Sequence, residues 1–189
     1  MAKEKTISTY LCYLLRHHPE SIGLAMDKHG WVDVNELIEA INNKGKYQLD
    51  KNQLKEIVKQ DSKGRYRLNE DESRIKCCQG HSIPWIELEL RYDVKVPKYL
   101  YHGTTTIALE KIKASGEIKK MERHAVHLHT EKMAWQSAKR WHLIPVVLKI
   151  DAEKMCNDGY QFGISENDVW CVEKIPIQYI EEEIYGYCY

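Results

Sequence analysis

The sequence predicts an α+β chain in two units: helices closed by a β-hairpin, then a region where strands and helices alternate. Three observations predict it. Apolar residues recur at helical spacing in three segments, each ended or opened by a stop or cap signal. Two short alternating runs come next around a polar turn. The segment "ELELRYDVKVPKYL" then changes character through Pro97, and the residues beyond it mix β-branched and aromatic runs with helical ones. The first unit is placed at residues 1–93 and the second at 94–189. Domains usually run roughly 50–200 residues, so 189 residues fit one large or two small ones, and 43% hydrophobic residues can supply a core.

In the first unit, Ile7, Tyr10, Leu11 and Leu14 form a stripe that runs into Arg16, His17 and His18, and Pro19 stops it. Asp33 followed by Glu36 has the spacing of a capping box ahead of Leu37, Ile38 and Ile41, which predicts a second helix. Asp50 and Gln53 repeat the device ahead of Leu54, Ile57 and Val58, which predicts a third. Arg65–Leu68 and Arg74–Cys77 read as the two strands of a hairpin, since Tyr66/Leu68 and Ile75/Cys77 alternate with polar residues. Three helices and a hairpin are the order of a winged-helix module, a class that serves nucleic acid in some proteins and protein partners in others.

In the second unit, "YLYHG" reads as a strand ending at Gly103, and "TTTIALEKIKASG" as a capped helix closed by Gly116. "HAVHLH" is a strand, "EKMAWQSAKRWH" a helix, and "PVVLKI", "YQFGI", "DVWCV" and "IEEEIY" are strands.

Charge balances at 28 Lys+Arg against 28 Asp+Glu, which argues against strong nonspecific binding to nucleic acid. Lysines and arginines do gather between positions 111 and 141, whereas 151–189 is mostly acidic. A basic surface and a solvated helix face both explain the basic run. Six cysteines (12, 77, 78, 156, 171 and 188) include no C-x-x-C pair, so reduced thiols are expected rather than a zinc ribbon or disulfide scaffold. "MAKEKTISTY" has no apolar signal core, and no run approaches the roughly 20 apolar residues of a membrane span. These features predict a soluble cytoplasmic protein, and the acidic tail with no heptad pattern favours a monomer.

Three stretches could carry chemistry. Arg16, His17 and His18 end a helix, where cations favour the dipole by about 0.3–1 kcal/mol, so plain capping competes with anion binding. "RHAVHLHT" holds His124, His127 and His129, but in a strand only His127 and His129 share a face, and no Cys or carboxylate lies at ligand spacing, so no metal is expected. In "HGTTT", Gly103 would let a ligand approach the backbone, and threonines opening a helix suit either an anion or an ordinary cap.

Taken in order, "LLRHHPESIGLAMDKHGWV", "KGRYRL", "QGHSI", "YHGTT", "RHAVHL" and "FGISENDVWCV" resemble the RNA 2′-phosphotransferase family of the KptA type, from about Thr6 to Ile180. The resemblance implies an N-terminal winged-helix RNA lobe and a C-terminal ADP-ribosyltransferase-type α/β lobe for NAD+, with the active site in the cleft between them. The reaction it implies removes an internal 2′-phosphate from RNA, as at a tRNA splice junction. The phosphate attacks C1″ of the nicotinamide ribose and nicotinamide leaves, giving 2′-phospho-ADP-ribosyl RNA. The 2″-OH then attacks phosphorus, releasing RNA and ADP-ribose 1″,2″-cyclic phosphate. Both displacements crowd negative charge and call for fixed cations.

By the same resemblance the catalytic set is Arg16 and His17 from "LRH", Arg65 from "KGRY" and Arg123 from "RHAVH". The NAD+ contacts it implies are His102, Gly103 and Thr104 from "HGT", His127 from "VHL", and Ser165, Asn167 and Val169 from "SENDV", with Phe162 packed nearby. His102, His127 and Val169 match the H-H-V variant of the transferase fold, whose apolar third member makes polymer synthesis unexpected. The chain departs from the family pattern at Ala125, His129 and Asp168, the last where Gly is usual, which puts a carboxylate near the NAD+ site. Gln79, Gly80, His81 and Ser82 are expected to order the wing, His81 structurally.

Two rival readings arise from the same residues. One is an ADP-ribosyltransferase that modifies a terminal nucleic-acid phosphate and stops after the first displacement. The other is a winged-helix DNA-binding regulator that senses NAD+ without reaction, which the balanced charge and the weakly basic "LDKNQLKEIVKQ" helix count against.

Overall fold

A computed structural model describes residues 2–141 and 143–186; His142, which ended the expected helix "EKMAWQSAKRWH", and Cys188 lie outside the described residues. The chain divides into two compact units, Met1–Glu89 and Leu90–Tyr189.

The first unit follows its apolar spacing. Helix α1 spans Ala2–Arg16 and buries Ile7, Leu11, Leu14 and Leu15, the i, i+4, i+7 and i+8 positions of one face. A 3₁₀ turn at Pro19–Ile22 comes next and ends on Gly23 in the left-handed region. A two-residue strand β1 (Val32–Asp33), not expected from the sequence, leads straight into α2 (Val34–Asn43). Asp33 caps α2 by accepting from the N–H groups of Asn35 and Glu36. Helix α3 (Lys51–Lys59) starts with the full reciprocal box: Asp50 accepts from the Gln53 N–H, and the Gln53 side chain accepts from the Asp50 N–H. Strands β2 (Tyr66–Leu68) and β3 (Arg74–Cys77) pair antiparallel with Tyr66 opposite Cys77, and β1 joins on the other side of β3 with Val32 opposite Ile75. Arg65, expected as the first strand residue, stands just before β2.

The second unit starts by pairing: Arg91 and Ile164 exchange backbone hydrogen bonds at 2.9 Å. Strand β4 covers Tyr99–Thr105, α4 Thr106–Ser115, β5 Glu117–Lys119, β6 Val126–Leu128 and α5 Glu131–Ala138. After α5 come β7 (Pro145–Asp151), α6 (Ala152–Asn157), β8 (Gly163–Ile164), β9 (Trp170–Val172), β10 (Lys174–Pro176) and β11 (Ile180–Tyr185). They form antiparallel sheets in the orders β11-β7-β4, β6-β9-β8 and β10-β5. Leu128, Leu148, Ile150, Met155 and Ile175 are fully buried in the core shared by these sheets.

Several sequence expectations are corrected. Strand β4 does not end at Gly103 but pairs with β7 through Thr105, because Thr104 and Thr105 are buried β-branched residues and the helix waits until Thr106. Helix α5 stops at Ala138 and tightens to 3₁₀ over Lys139–Trp141. "DVWCV" enters its strand only at Trp170, since Asp168 has φ 58° and Val169 closes a turn. "YQFGI" is a strand only at Gly163 and Ile164. The chain is α+β, as expected.

Candidate active site

The first unit gathers Arg16, His17 and Arg65 around the end of α1 and the start of β2. Arg16, the last residue of α1, turns inward: its Nε and Nη2 are buried and have no hydrogen-bond partner among the described residues. Burial weakens a cation, yet the Cys77 and Cys12 thiols beside it outweigh that and hold the guanidinium above its ordinary value. Gly80, at φ 87°, lies flat against this group, and a Cβ there would stand 3.4 Å from Arg16 Cζ. The Arg16 carbonyl accepts from the Ser82 N–H at 3.0 Å, and the Ser82 hydroxyl meets His17 Nδ1 at 2.8 Å. Gly80 and Ser82 of "QGHS" therefore order both residues, while His81 is buried with Nε2 3.0 Å from the Cys77 carbonyl.

Arg65 is held by a residue the sequence did not single out. Asp61 Oδ1 accepts from Arg65 Nε at 2.8 Å and from Nη2 at 2.6 Å, and Asp61 Oδ2 accepts from the Arg65 N–H at 2.5 Å. The Asp61 side chain is 2% exposed and that of Arg65 31%, so the pair stands with the carboxylate inside and the fork partly outside. Burial would weaken this cation too, but the Asp61 bonds raise it well above the ordinary arginine value. The spacing of four between Asp61 and Arg65 was visible, but across the "DSKG" turn such spacing does not imply contact. Cys12 completes the cluster: its thiol is lowered to about 5, first by a hydrogen bond with Cys77, against burial, and then by Arg16.

The second unit brings together Arg123, His127 and His102, while the "SENDV" turn is organised by its own bonds. Arg123 Nη1 donates to His127 Nδ1 at 3.1 Å, which makes that nitrogen an acceptor and leaves the proton of a neutral ring on Nε2. His102 sits on β4 with Nδ1 3.1 Å from the His127 carbonyl, to which only an Nδ1–H can donate. Burial chiefly pushes the His102 imidazole below its ordinary value; the His127 carbonyl opposes this, and Arg123 and Arg140 reinforce it. Both rings thus favour the neutral form.

Gly103 has a different reason to be glycine than the sequence implied. On the side where a Cβ would stand, the Ala134 carbonyl oxygen would be 2.1 Å away, so α5 lies directly on β4. What comes close on that face is helix backbone rather than a ligand. The edge is another matter. Tyr101 exchanges hydrogen bonds with His129, away from β7, and by strand alternation the N–H and C=O of Gly103 point the same way. Thr104 is buried, and Thr105, not Thr104, caps α4 at 3.3 Å from the Ala108 N–H.

Ser165 is wholly buried and organises its turn: its hydroxyl accepts from the Val169 N–H at 3.1 Å and lies 2.9 Å from Asn167 Oδ1. Val169 and Phe162 are buried. Asp168 occupies the left-handed region at φ 58°, which explains a glycine preference there and why Asp, among the tolerated residues, can replace it. Its carboxylate is 83% exposed and lies 3.7 Å from Arg91 Nη2. The His129 backbone serves as the bridge to β4.

One unit thus carries fixed guanidinium groups, and the other carries two imidazoles beside an exposed arginine. The chain belongs to the RNA 2′-phosphotransferase, Tpt1 / KptA family, whose family model matches residues 2–174. Among its relatives, a protein of Flavobacterium johnsoniae named "Probable RNA 2'-phosphotransferase" is 42% identical over 94% of this chain and 95% of its own length. Proteins of the same name from Fusobacterium nucleatum and Pectobacterium atrosepticum are 41% and 40% identical, each over 96% of this chain and 99% and 100% of their own lengths. No helix among the described residues is long and apolar enough to cross a membrane.

Proposed function

We propose that this protein is an NAD+-dependent enzyme that removes an internal 2′-phosphate from RNA, releasing nicotinamide and ADP-ribose 1″,2″-cyclic phosphate. The observation that carries the reading is the pair Arg16 and Arg65: one buried guanidinium with two nitrogens unpartnered among the described residues, one locked by Asp61 with the end of its fork outward. Family membership names the phosphate. The first unit serves in this reading as a winged-helix RNA lobe and the second as an ADP-ribosyltransferase-type lobe.

NAD+ is the co-substrate, and when bound it supplies an electrophilic ribose carbon with nicotinamide as leaving group. The residues present fit it. By strand alternation Gly103 turns one N–H and one C=O away from β7, the complement of a carboxamide, which has one acceptor and one donor side. His102 and His127 are held neutral, so they add no positive charge beside a cationic pyridinium ring. Thr104, Ser165, Asn167 and Val169 complete the proposed NAD+ contacts, Ser165 by fixing the turn that carries the other two.

The chain's own groups then divide the work. Arg16 and Arg65 bind the 2′-phosphate oxygens bidentately and hold the nucleophile in line. Arg123 neutralises charge as phosphorus becomes pentacoordinate. His17, held through Nδ1 by Ser82, hydrogen-bonds phosphate or moves a proton during transesterification.

The test is incubation with a short RNA carrying one internal 2′-phosphate, with and without NAD+, while RNA and nicotinamide products are resolved. NAD+-dependent loss of the phosphate with nicotinamide and the cyclic phosphate appearing together is the expected result. An accumulating RNA adduct would favour terminal-phosphate ADP-ribosylation. Absence of nicotinamide release would favour a binding module.

A further inference from the structure

Four rings of the first unit form a chain that the chemistry above does not use. Tyr10 and Tyr13, i and i+3 on α1, are nearly parallel at 12° with centroids 6.3 Å apart. Tyr47 meets Tyr10 at 5.1 Å, and His18 meets Tyr13 at 4.7 Å. The inner pair has a structural reason to be there, since Tyr10 and Tyr47 pack partly against the core. The outer pair has none of that kind: Tyr13 is 44% exposed and the His18 side chain 48%.

Charge runs along the same line. Lys46 Nζ stands 5.5 Å from the centroids of both Tyr10 and Tyr47. At the other end, His17 lies one helical turn beyond Tyr13, and Arg16 is next to it. Glu20, 3.0 Å from His18 Nδ1, is the acidic neighbour and orients that ring. A row of rings with a cation at one end and phosphate ligands at the other matches a polyanion that carries flat π-faces.

We infer that Tyr13 and His18, backed by Tyr10 and Tyr47, form a stacking platform for the bases of single-stranded RNA beside the 2′-phosphate. The inference rests on the proposed function and extends it from the phosphate to the flanking nucleotides. The strand must be single there, because a paired base has no free face to lay on a ring. Recognition is tolerant of sequence, since every base has a π-face. Lys46 meets a backbone phosphate farther along the strand.

The test is fluorescence anisotropy with the full chain, without NAD+, using a labelled RNA hexamer bearing one internal 2′-phosphate. Plain RNA and hexamers with an abasic site on either side of the phosphate serve as comparisons. Tyr13→Leu, which keeps apolar bulk but removes the ring, should weaken binding about 5- to 150-fold, while Tyr13→Phe stays within about twofold. An abasic neighbour should cost the wild type a similar factor and cost Tyr13→Leu nothing further. Tyr13→Leu binding as well as wild type, or an undiminished abasic penalty in that variant, overturns the platform. Equal wild-type affinity for plain and 2′-phosphorylated RNA with the Tyr13 effect intact overturns the phosphotransferase reading and leaves the platform standing.

Discussion

Arg65→Lys keeps the charge and removes the fork, and the contacts of Arg65 fix what that costs. Of five N–H groups, Asp61 Oδ1 takes the one on Nε and one on Nη2, at 2.8 and 2.6 Å. The other Nη2 proton and one of the two on Nη1 form the end of the fork, the pair that matches two phosphate oxygens. A lysine has one nitrogen for both tasks. If it stays with the buried Asp61 carboxylate, phosphate loses both bonds; if it reaches outward, Asp61 is left uncompensated. Losing one charge-assisted bond, about 1.5–3 kcal/mol, predicts about a 10- to 150-fold fall in the rate of displacement at phosphorus. Single-turnover kinetics with the phosphorylated RNA, following the cyclic phosphate, read this directly. Asp61→Asn should fall in the same direction with a smaller change in RNA affinity, because the fork loses its orientation and not its charge. A rate for Arg65→Lys within about threefold of wild type would refute the argument that the fork, and not charge alone, is used.

Three other outcomes come from the geometry. Gly103→Ala places a Cβ 2.1 Å from the Ala134 oxygen, so α5 must lift from β4; overpacking of about 1–3 kcal/mol should lower the thermal midpoint by at least about 2 °C, and an unchanged melt would mean that the helix does not lie there. His102 is held below its ordinary value, so as pH falls the unfolded chain takes up its proton first; the stability this imidazole contributes is full above about 6.5 and is lost as pH falls through the lower folded value. Urea unfolding at two pH values on either side of that point should show a smaller drop for His102→Gln than for wild type. Cys12, lowered to about 5, should still be alkylated readily at pH about 6.5, where an ordinary thiol near 8.5 is almost fully protonated, as peptide mass spectrometry would show.

What the sequence revealed was local, and what it concealed was long-range. The Asp50/Gln53 box, the Asp33 cap and the Gly116 stop each depend on a few consecutive residues, so the helices they bound were legible. Strand β1 was not, because two residues carry no period; it exists only because β3 offers an edge. β5 and β10 escaped for the same reason, each supported by the other across more than fifty residues of chain. In the candidate site, Arg16, His17 and Arg65 were found through motifs, but their supports were not. That Asp61 would turn inward, that Ser82 would reach His17, and that Cys12 and Cys77 would flank Arg16 depend on how α1 meets the hairpin, a contact between distant parts of the chain. Gly103 shows the converse: its importance was visible, while its reason, the backbone of α5, was not.

In the proposed reaction the two units meet opposite electrostatic demands, and the difference is set by what surrounds each group. A phosphate with two negative charges is best held by cations that cannot lose their protons. The first unit supplies guanidinium groups, with a carboxylate beside Arg65 and the Cys12 sulfur, lowered to about 5, beside Arg16. A nicotinamide ring in NAD+ is itself positive, and a charged imidazole next to it would weaken binding. The second unit supplies histidines whose protons are already assigned. The His127 carbonyl requires a proton on His102 Nδ1, and Arg123 requires none on His127 Nδ1. A second proton on either ring would have to sit near Arg123, and at His102 burial already makes the site unfavourable for charge. Arg123 thus has two tasks in the proposed reaction, to meet the phosphate and to keep His127 neutral. Arg123→Gln separates them: an amide can still donate to His127 Nδ1, so NAD+ affinity should survive while displacement at phosphorus fails. NAD+ affinity lost in parallel with the rate would mean that the guanidinium charge, and not its hydrogen bond, holds the imidazole pair.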